Sequence, residues 1–189
     1  MKHRCRAAGV ALLVVVMSVA SSTSAFAGTT DAKKKPKGPK VVIEDACTIL
    51  WPKRIEKALG EPVVILPDAT IAGPAGCGAA IGADPAVAPG GTLQAFTEYP
   101  NLLGGSQNAR AAVEDRRAGD ALSDDVLTDV DDVGIAAYFN RTKGAITVLA
   151  TKKYAFTLQW ARADAVAISD ADRTKLTSLA KNVVARFTG

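Results

Sequence analysis

Few side chains in this 189-residue sequence could carry nucleophilic or metal chemistry. His3 is the only histidine, and serine hydrolases usually need a base beside the nucleophilic serine. Zinc and copper sites depend on histidine or on clustered cysteines. The glycine-rich stretch 73–82 has neither the dinucleotide-binding order nor the ending of a phosphate loop. The sequence therefore predicts no cofactor and no metal site, and no histidine-based catalysis once the first 27 residues, which contain His3, are removed as a signal peptide.

Carboxylates remain for acid and base chemistry, and they occur in two adjacent pairs, Asp124-Asp125 and Asp131-Asp132. Two carboxylates could share a proton or flank a glycosidic bond, as in a small hydrolase of an envelope polysaccharide. Adjacent residues in a strand point to opposite faces, so spacing alone preorganises neither pair. Because the pairs flank residues 126–130, they are more typical of polar turns. The residue order of a calcium loop is absent.

The first 27 residues predict a secretory signal peptide. A basic start and an apolar run over residues 7–20 precede Ala25-Phe26-Ala27, a small-x-small cleavage site before Gly28. The apolar run is shorter than the ~18 to 20 residues that cross a bilayer, so we expect no transmembrane segment after cleavage. No cysteine stands at the cleavage point to carry a lipid. We therefore expect a secreted, extracytoplasmic protein of the cell envelope.

Export would place Cys47 and Cys77 in an oxidising compartment, where two cysteines of a small domain usually form a structural disulfide. We predict this bond. Closing a loop of about 30 residues adds roughly 3 to 4 kcal/mol in the chain-entropy model. A redox role is the alternative, but the Cys-x-x-Cys spacing is missing and no nearby histidine lowers a thiol pKa.

The composition of residues 28–40 predicts a basic flexible tail. Five lysines and two prolines occur in residues 31–40 without any large apolar residue, a composition that cannot order itself by burial. The tail would either contact an anionic surface or serve as a solvated spacer. From Val41 onward, 15 basic residues stand against 18 acidic ones, a net charge of −3. This charge gives no support for a nucleic-acid partner.

Residues 41–189 are expected to form one domain. In its first half, Pro52 suits the start of a helix and Gly60 suits its left-handed end. Strands are predicted at Val63–Leu66, Gly78–Ile81 and Thr92–Tyr99, the last covered by helices on one side. A helix with Ala109, Ala112 and Val113 on its inner face follows, with Ser106 as its cap and Gly119 just past its end.

The second half predicts three consecutive strands, Gly134–Phe139, Ala145–Ala150 and Tyr154–Trp160, joined as antiparallel hairpins. A final helix begins near Ser169, which pairs with Asp172 as a cap. Its apolar residues recur at helical spacing, so one full face must be buried. The pattern predicts an α+β domain with helices packed on an antiparallel sheet.

Tyr99, Leu102 and Leu103 form a candidate binding lip. The two leucines precede Gly104 and Gly105, so they could make an adaptable apolar edge on the surface. The alternative is the end of a strand, with both leucines in the core.

The stretch Cys47-Thr-Ile-Leu50, followed by Ala58-Leu59-Gly60 and a second cysteine at Cys77, resembles an uncharacterised domain family of actinobacterial exported proteins and lipoproteins. The stretch from Val130 to Tyr138 is similar to that family's Val-x-x-Val-Gly-Asp-x-Ala-Tyr strand. Trp51 replaces the family's Ser or Thr at the helix cap.

The resemblance implies a compact α+β domain like the extracellular sensor domains of actinobacterial kinases, and no catalytic residues. We therefore expect a secreted, non-enzymatic binding or accessory domain whose partner is an envelope protein, lipid or glycan. A small carboxylate-dependent hydrolase and a structural exported protein are the alternatives.

Overall fold

The computed structural model describes residues 39, 41, 45–66, 76–85, 89–98, 108–164 and 167–188. All of them lie in one compact unit, Lys35–Gly189. The predicted signal peptide and, apart from Pro39, the basic tail lie outside the described residues. So do Tyr99, Leu102 and Leu103 of the predicted lip, and Ser106.

The helices and strands alternate in small groups along the chain. The helices are α1 (Pro52–Leu59), α2 (Ala109–Leu122) and α3 (Asp170–Thr188), and a short 3-10 helix at Ala46–Thr48 precedes α1. The strands are β1 (Val63–Leu66), β2 (Gly76–Ile81), β3 (Gly91–Glu98), β4 (Leu127–Asp129), β5 (Ala136–Asn140), β6 (Ala145–Leu149) and β7 (Ala155–Arg162). The predicted α+β class is confirmed.

All of these strands form one antiparallel sheet in the order β1-β2-β3-β7-β6-β5-β4. The central pair is β3 and β7, in which Leu93 lies opposite Trp160 and Ala95 opposite Leu158. The predicted hairpins β5–β6 and β6–β7 are confirmed. Strands β1 and β4 stand at the two edges of this sheet.

One face of the sheet carries α1, α3 and the main core. Alternate residues of the strands, such as Leu93, Phe156 and Ile146, pack there against Leu59 of α1 and Leu176 of α3. Helix α1 begins at Pro52 and ends at Gly60, whose φ of 80° is left-handed as predicted. At α3 the predicted cap is confirmed, because Ser169 and Asp172 exchange hydrogen bonds.

The other face of the sheet carries α2. Ala109 and Val113 of this helix pack on Tyr138, Leu149 and Ala155. Small residues on the helix let it approach the strands closely. Helix α2 also contacts β3, so that strand meets a helix on the face opposite the main core.

The boundaries of α2 differ from the sequence prediction. Asn108 caps the helix by accepting a hydrogen bond of 2.9 Å from the Ala111 N–H, as asparagine commonly does. Gly119 lies inside the helix rather than past its end. A further difference is β4, since residues 126–130 were predicted only as a segment between polar turns. Pairing with β5 stabilises this short strand. Three residues are too few for the sequence pattern to predict such pairing.

Candidate functional site in the cleft beside the β4–β5 hairpin

A cleft of about 440 Å³ opens between α2 and the hairpin that joins β4 to β5. Arg110 and Arg117 of α2 stand on one wall, and the hairpin, residues 129–136, forms the other. Tyr138 and Leu149 are buried in the sheet at its floor. The cleft thus has a rigid apolar floor between two charged walls.

The backbone of the hairpin is tightly packed beside the cleft. Gly134 has a left-handed φ of 66°, and a Cβ atom there would lie 2.6 Å from the carbonyl oxygen of Leu149. Ile135 donates its N–H to the same oxygen at 2.8 Å. The Ile135 side chain is nevertheless 48% exposed on the cleft wall. Loops positioned by a rigid scaffold commonly carry binding residues, and Ile135 offers such an apolar contact.

Both arginines of the cleft have acidic partners. Arg117 donates to Asp129 at 2.7 Å and lies over the ring of Tyr138. Arg110 lies 3.8 Å from Glu114, one turn further along α2. In contrast, Asp131 and Asp132 of the hairpin have no hydrogen bond or ion pair among the described residues. The unbalanced charge of the cleft is therefore negative.

A cluster of polar side chains lies at the C-terminal end of α2, beside the β5–β6 turn. Lys143 contacts Asp120 at 2.7 Å and Asp125 at 3.0 Å. Tyr138 donates its hydroxyl to Asp120 at 3.0 Å, and Asn140 donates to Asp125 at 2.9 Å. This Lys143 cluster joins the C-terminal end of α2 to the sheet.

The charges of the Lys143 cluster are mutually stabilised. Burial acts to raise the pKa of Asp120, but hydrogen bonds from Lys143, Asn140 and Tyr138 outweigh it and hold that pKa below its ordinary value. Hydrogen bonds from Asn140 and Lys143 lower the pKa of Asp125. The same two carboxylates raise the pKa of Lys143. Neither carboxyl group holds a proton near neutral pH, so neither is prepared to act as a general acid.

The structure splits one of the two carboxylate pairs that the sequence singled out and keeps the other together. Asp125 belongs to the Lys143 cluster, whereas its neighbour Asp124 is exposed in a turn with a left-handed φ of 56°. Asp131 and Asp132 both line the cleft and are exposed. The sequence gives no signal for the partners of Asp125, because Asn140 and Lys143 reach it only once the β5–β6 hairpin packs beside the end of α2.

Ser178 and Lys181 of α3 have the Ser-x-x-Lys spacing found in enzymes whose nucleophilic serine lies near a lysine. Both side chains are exposed. Nucleophile and base must lie within hydrogen-bond reach, and these two share no hydrogen bond in the described part of the chain. Both residues line open depressions of about 480 and 590 Å³ beside α3, but without a hydrogen bond between them we assign them no catalytic role.

The predicted disulfide is present. Cys47 and Cys77 are bonded, and they tie the 3-10 helix to β2. No group of three or more His, Cys, Asp or Glu side chains among the described residues is arranged to hold a metal ion. Within the same residues, no helix combines the length and apolar character that crossing a membrane requires.

Comparisons with family profiles, with curated proteins and with solved structures find no match to this chain.

Proposed function

We propose that this protein is a secreted, non-enzymatic binding domain of the cell envelope, with a sensor-like or accessory role, and that it binds its partner in the cleft between α2 and the β4–β5 hairpin. The signal-peptide pattern and the resemblance to actinobacterial exported proteins support the location. The observation that carries the binding role is the exposed Ile135 on a tightly packed hairpin, facing a cleft with charged walls.

The chemistry of the cleft favours one class of partner. Arg110 and Arg117 are paired with acidic side chains, whereas the carboxylates of Asp131 and Asp132 are free of partners among the described residues. Ile135 lies on the same hairpin as these two carboxylates and lines the same cleft. A ligand with a cationic group beside an apolar group matches both features, and a lysine- or arginine-containing segment of an envelope protein has this chemistry.

The hydrolase alternative has weaker support. Asp120 and Asp125, two carboxylates that converge in space, share Lys143 as a counter-charge. A glycosidase needs one carboxyl group with a raised pKa as its acid, and both pKa values here are lowered. Release of sugar from envelope polysaccharide by the wild type, lost in Asp120→Asn, would favour the hydrolase over our proposal.

Two capped hexapeptides test the binding role, one alternating lysine with leucine and the other alternating glutamate with leucine. We expect the lysine peptide to shift the backbone amide resonances of residues 133–138 and of α2. The glutamate peptide should leave them in place. Adding salt should weaken the lysine peptide's binding because exposed charges are screened.

Two matched variants localise the contact. Ile135→Ser should weaken binding of the lysine peptide about fivefold, the loss expected from part of one apolar side chain. Leu122→Ser is the control, since Leu122 is 87% exposed but does not line the cleft. Equal binding of both peptides, or equal weakening by the two variants, would contradict the proposed site. Vesicles of anionic lipid that shifted the same amides would instead identify a lipid partner.

The proposed location has a separate test. The N-terminal sequence of the protein recovered outside the cytoplasm should begin at Gly28. If residues 28–40 bind anionic vesicles, deleting them from the exported protein should abolish vesicle binding. If they are a spacer, the deletion should change nothing. Recovery of the whole chain from the cytoplasm would contradict export.

A further inference from the structure

A depression of about 480 Å³ lies between α1 and α3, and we call it the α1–α3 groove. Each helix contributes three residues to it at positions i, i+3 and i+4, which share one face of a helix. These residues are Arg54, Lys57 and Ala58 of α1 and Ser178, Lys181 and Asn182 of α3. The buried Leu179 also lines the groove. The side chains of two helices thus converge on one open site.

The charge of the α1–α3 groove is entirely positive. Arg54, Lys57 and Lys181 are cations, and no residue that lines the groove is acidic. Among the described residues, none of these three cations forms an ion pair with a carboxylate. From Val41 onward the chain has a net charge of −3. The groove therefore concentrates unpaired positive charge on a domain that is negative as a whole.

Arg186 adds a further positive charge close to Arg54. Both guanidinium groups lie over the ring of Trp51, at 5.2 Å from its centre for Arg54 and 5.9 Å for Arg186. Arg186 is buried, and its Nε atom has no hydrogen-bond partner among the described residues. Burial, and then the charge of Arg54, lowers the pKa of Arg186. These two cations repel each other in the folded protein, and an anion bound at Arg54 would offset that repulsion.

From this arrangement of charges and donors we infer that the α1–α3 groove binds a phosphate group. The guanidinium of Arg54 is a planar fork of N–H donors that suits phosphate oxygens, and the two lysines act as point charges. The hydroxyl of Ser178 and the amide of Asn182 can donate to the remaining oxygens. A carboxylate has only two oxygens and one charge, so it would leave more of the three cations uncompensated.

The open shape of the groove limits the strength of this binding. Lys57, Ser178 and Lys181 are exposed, and exposed charges are screened by salt. We expect inorganic phosphate to bind with a Kd of about 1 to 10 mM. Helices α1 and α3 lie on the face of the sheet opposite α2. The phosphate site is therefore independent of the cationic partner proposed for the α2 cleft.

Titration of the exported chain with inorganic phosphate, followed by NMR at constant ionic strength, tests this site. The backbone amides of residues 54–58 and 178–182 should shift along a saturating curve, whereas chloride should not shift them. Lys57→Gln and Lys181→Gln should each weaken binding about fivefold, the loss expected from one exposed ionic contact. Lys53→Gln is the matched control, since Lys53 is an exposed lysine of α1 that does not line the groove.

Glycerol 3-phosphate distinguishes two sources of the phosphate group. Binding at least as tight as that of inorganic phosphate would identify an esterified phosphate, such as that of a lipid headgroup, as the ligand. Binding of inorganic phosphate alone would identify free phosphate. Three results would overturn the inference: shifts that do not saturate with either compound, equal weakening by Lys53→Gln and Lys57→Gln, and loss of binding when residues 28–40 are deleted.

Discussion

Arg186, near the end of α3, donates a hydrogen bond of 2.5 Å to the carbonyl oxygen of Ile49, a residue 137 positions earlier in the chain. It also donates to the carbonyl of Thr48 at 2.9 Å. The side chain is buried, and no acidic group pairs with it among the described residues. Burial, and then the charge of Arg54, lowers the pKa of Arg186 to about 10. A protonated guanidinium thus uses backbone carbonyls in place of a counter-ion.

Replacing Arg186 should destabilise the fold. Arg186→Met leaves the carbonyl oxygens of Thr48 and the buried Ile49 without their charged donor, and we expect a loss of about 2 to 3 kcal/mol in the free energy of unfolding. Arg110→Met is the control because that arginine is exposed, and its effect should stay within about 0.5 kcal/mol. Urea unfolding measures both. Equal effects would mean that the buried hydrogen bonds contribute little.

The disulfide should contribute a large share of the stability. The bond closes a separation of 30 residues, for which chain entropy predicts about 3 to 4 kcal/mol. The double variant Cys47→Ala, Cys77→Ala should lower the free energy of unfolding by about that amount. Dithiothreitol should destabilise the wild type and leave the double variant unchanged. A reductant effect of the same size in both proteins would contradict this assignment.

Acid should weaken the docking of α2. The pKa values of Asp120 and Asp125 are lowered from 3.8 in the folded protein. Their contribution is therefore fully present above about that pH, and it is lost as the pH falls through the lower folded values. Lys143→Met should flatten the dependence of unfolding free energy on pH between about 2 and 5. Lys153→Met, in an exposed turn, should leave the slope unchanged. If the unfolding free energy depends on pH equally in both variants, the role of Lys143 is contradicted.

Replacing glycine with alanine should change the stability in opposite directions at Gly134 and at Gly119. Gly134→Ala places a Cβ 2.6 Å from the Leu149 carbonyl at a left-handed φ, and we expect it to cost about 1 to 3 kcal/mol and to disturb the cleft. At Gly119, inside α2, nothing lies within 4 Å of an added Cβ. Gly119→Ala should therefore stabilise the protein by about 0.5 to 1 kcal/mol. Thermal unfolding of both variants measures this contrast, and destabilisation by Gly119→Ala would contradict it.

Periodicity in the sequence predicted much of the fold. Strand β1 begins and ends where the apolar run between Pro62 and Pro67 predicted, and α3 begins one residue after its predicted capping serine. These elements carry local signals, namely proline boundaries, a capping pair and an apolar stripe. Strand β4 and the cap of α2 carry weaker signals. Asn108 competes with Ser106 as a possible cap, and three residues are too few for a strand pattern.

The candidate site was much less accessible to sequence reasoning. Its two walls come from α2 and from the β4–β5 hairpin, and Tyr138 and Leu149 at the floor come from different strands. The acidic pair Asp131-Asp132 was visible in the sequence. Its position beside Ile135, and the pairing of Arg117 with Asp129, depend on how α2 crosses the sheet. Side chains far apart in sequence give no local pattern from which such a cleft could be predicted.

The sequence by itself determined which reactive side chains this protein carries. One histidine near the N-terminus, a cysteine pair 30 residues apart and an α+β pattern can all be read from it without a structure. Only the tertiary structure decided which charges are paired. Lys143 neutralises Asp120 and Asp125, whereas Asp131 and Asp132 remain free, because electrostatic interactions depend on distance in space rather than on separation along the chain.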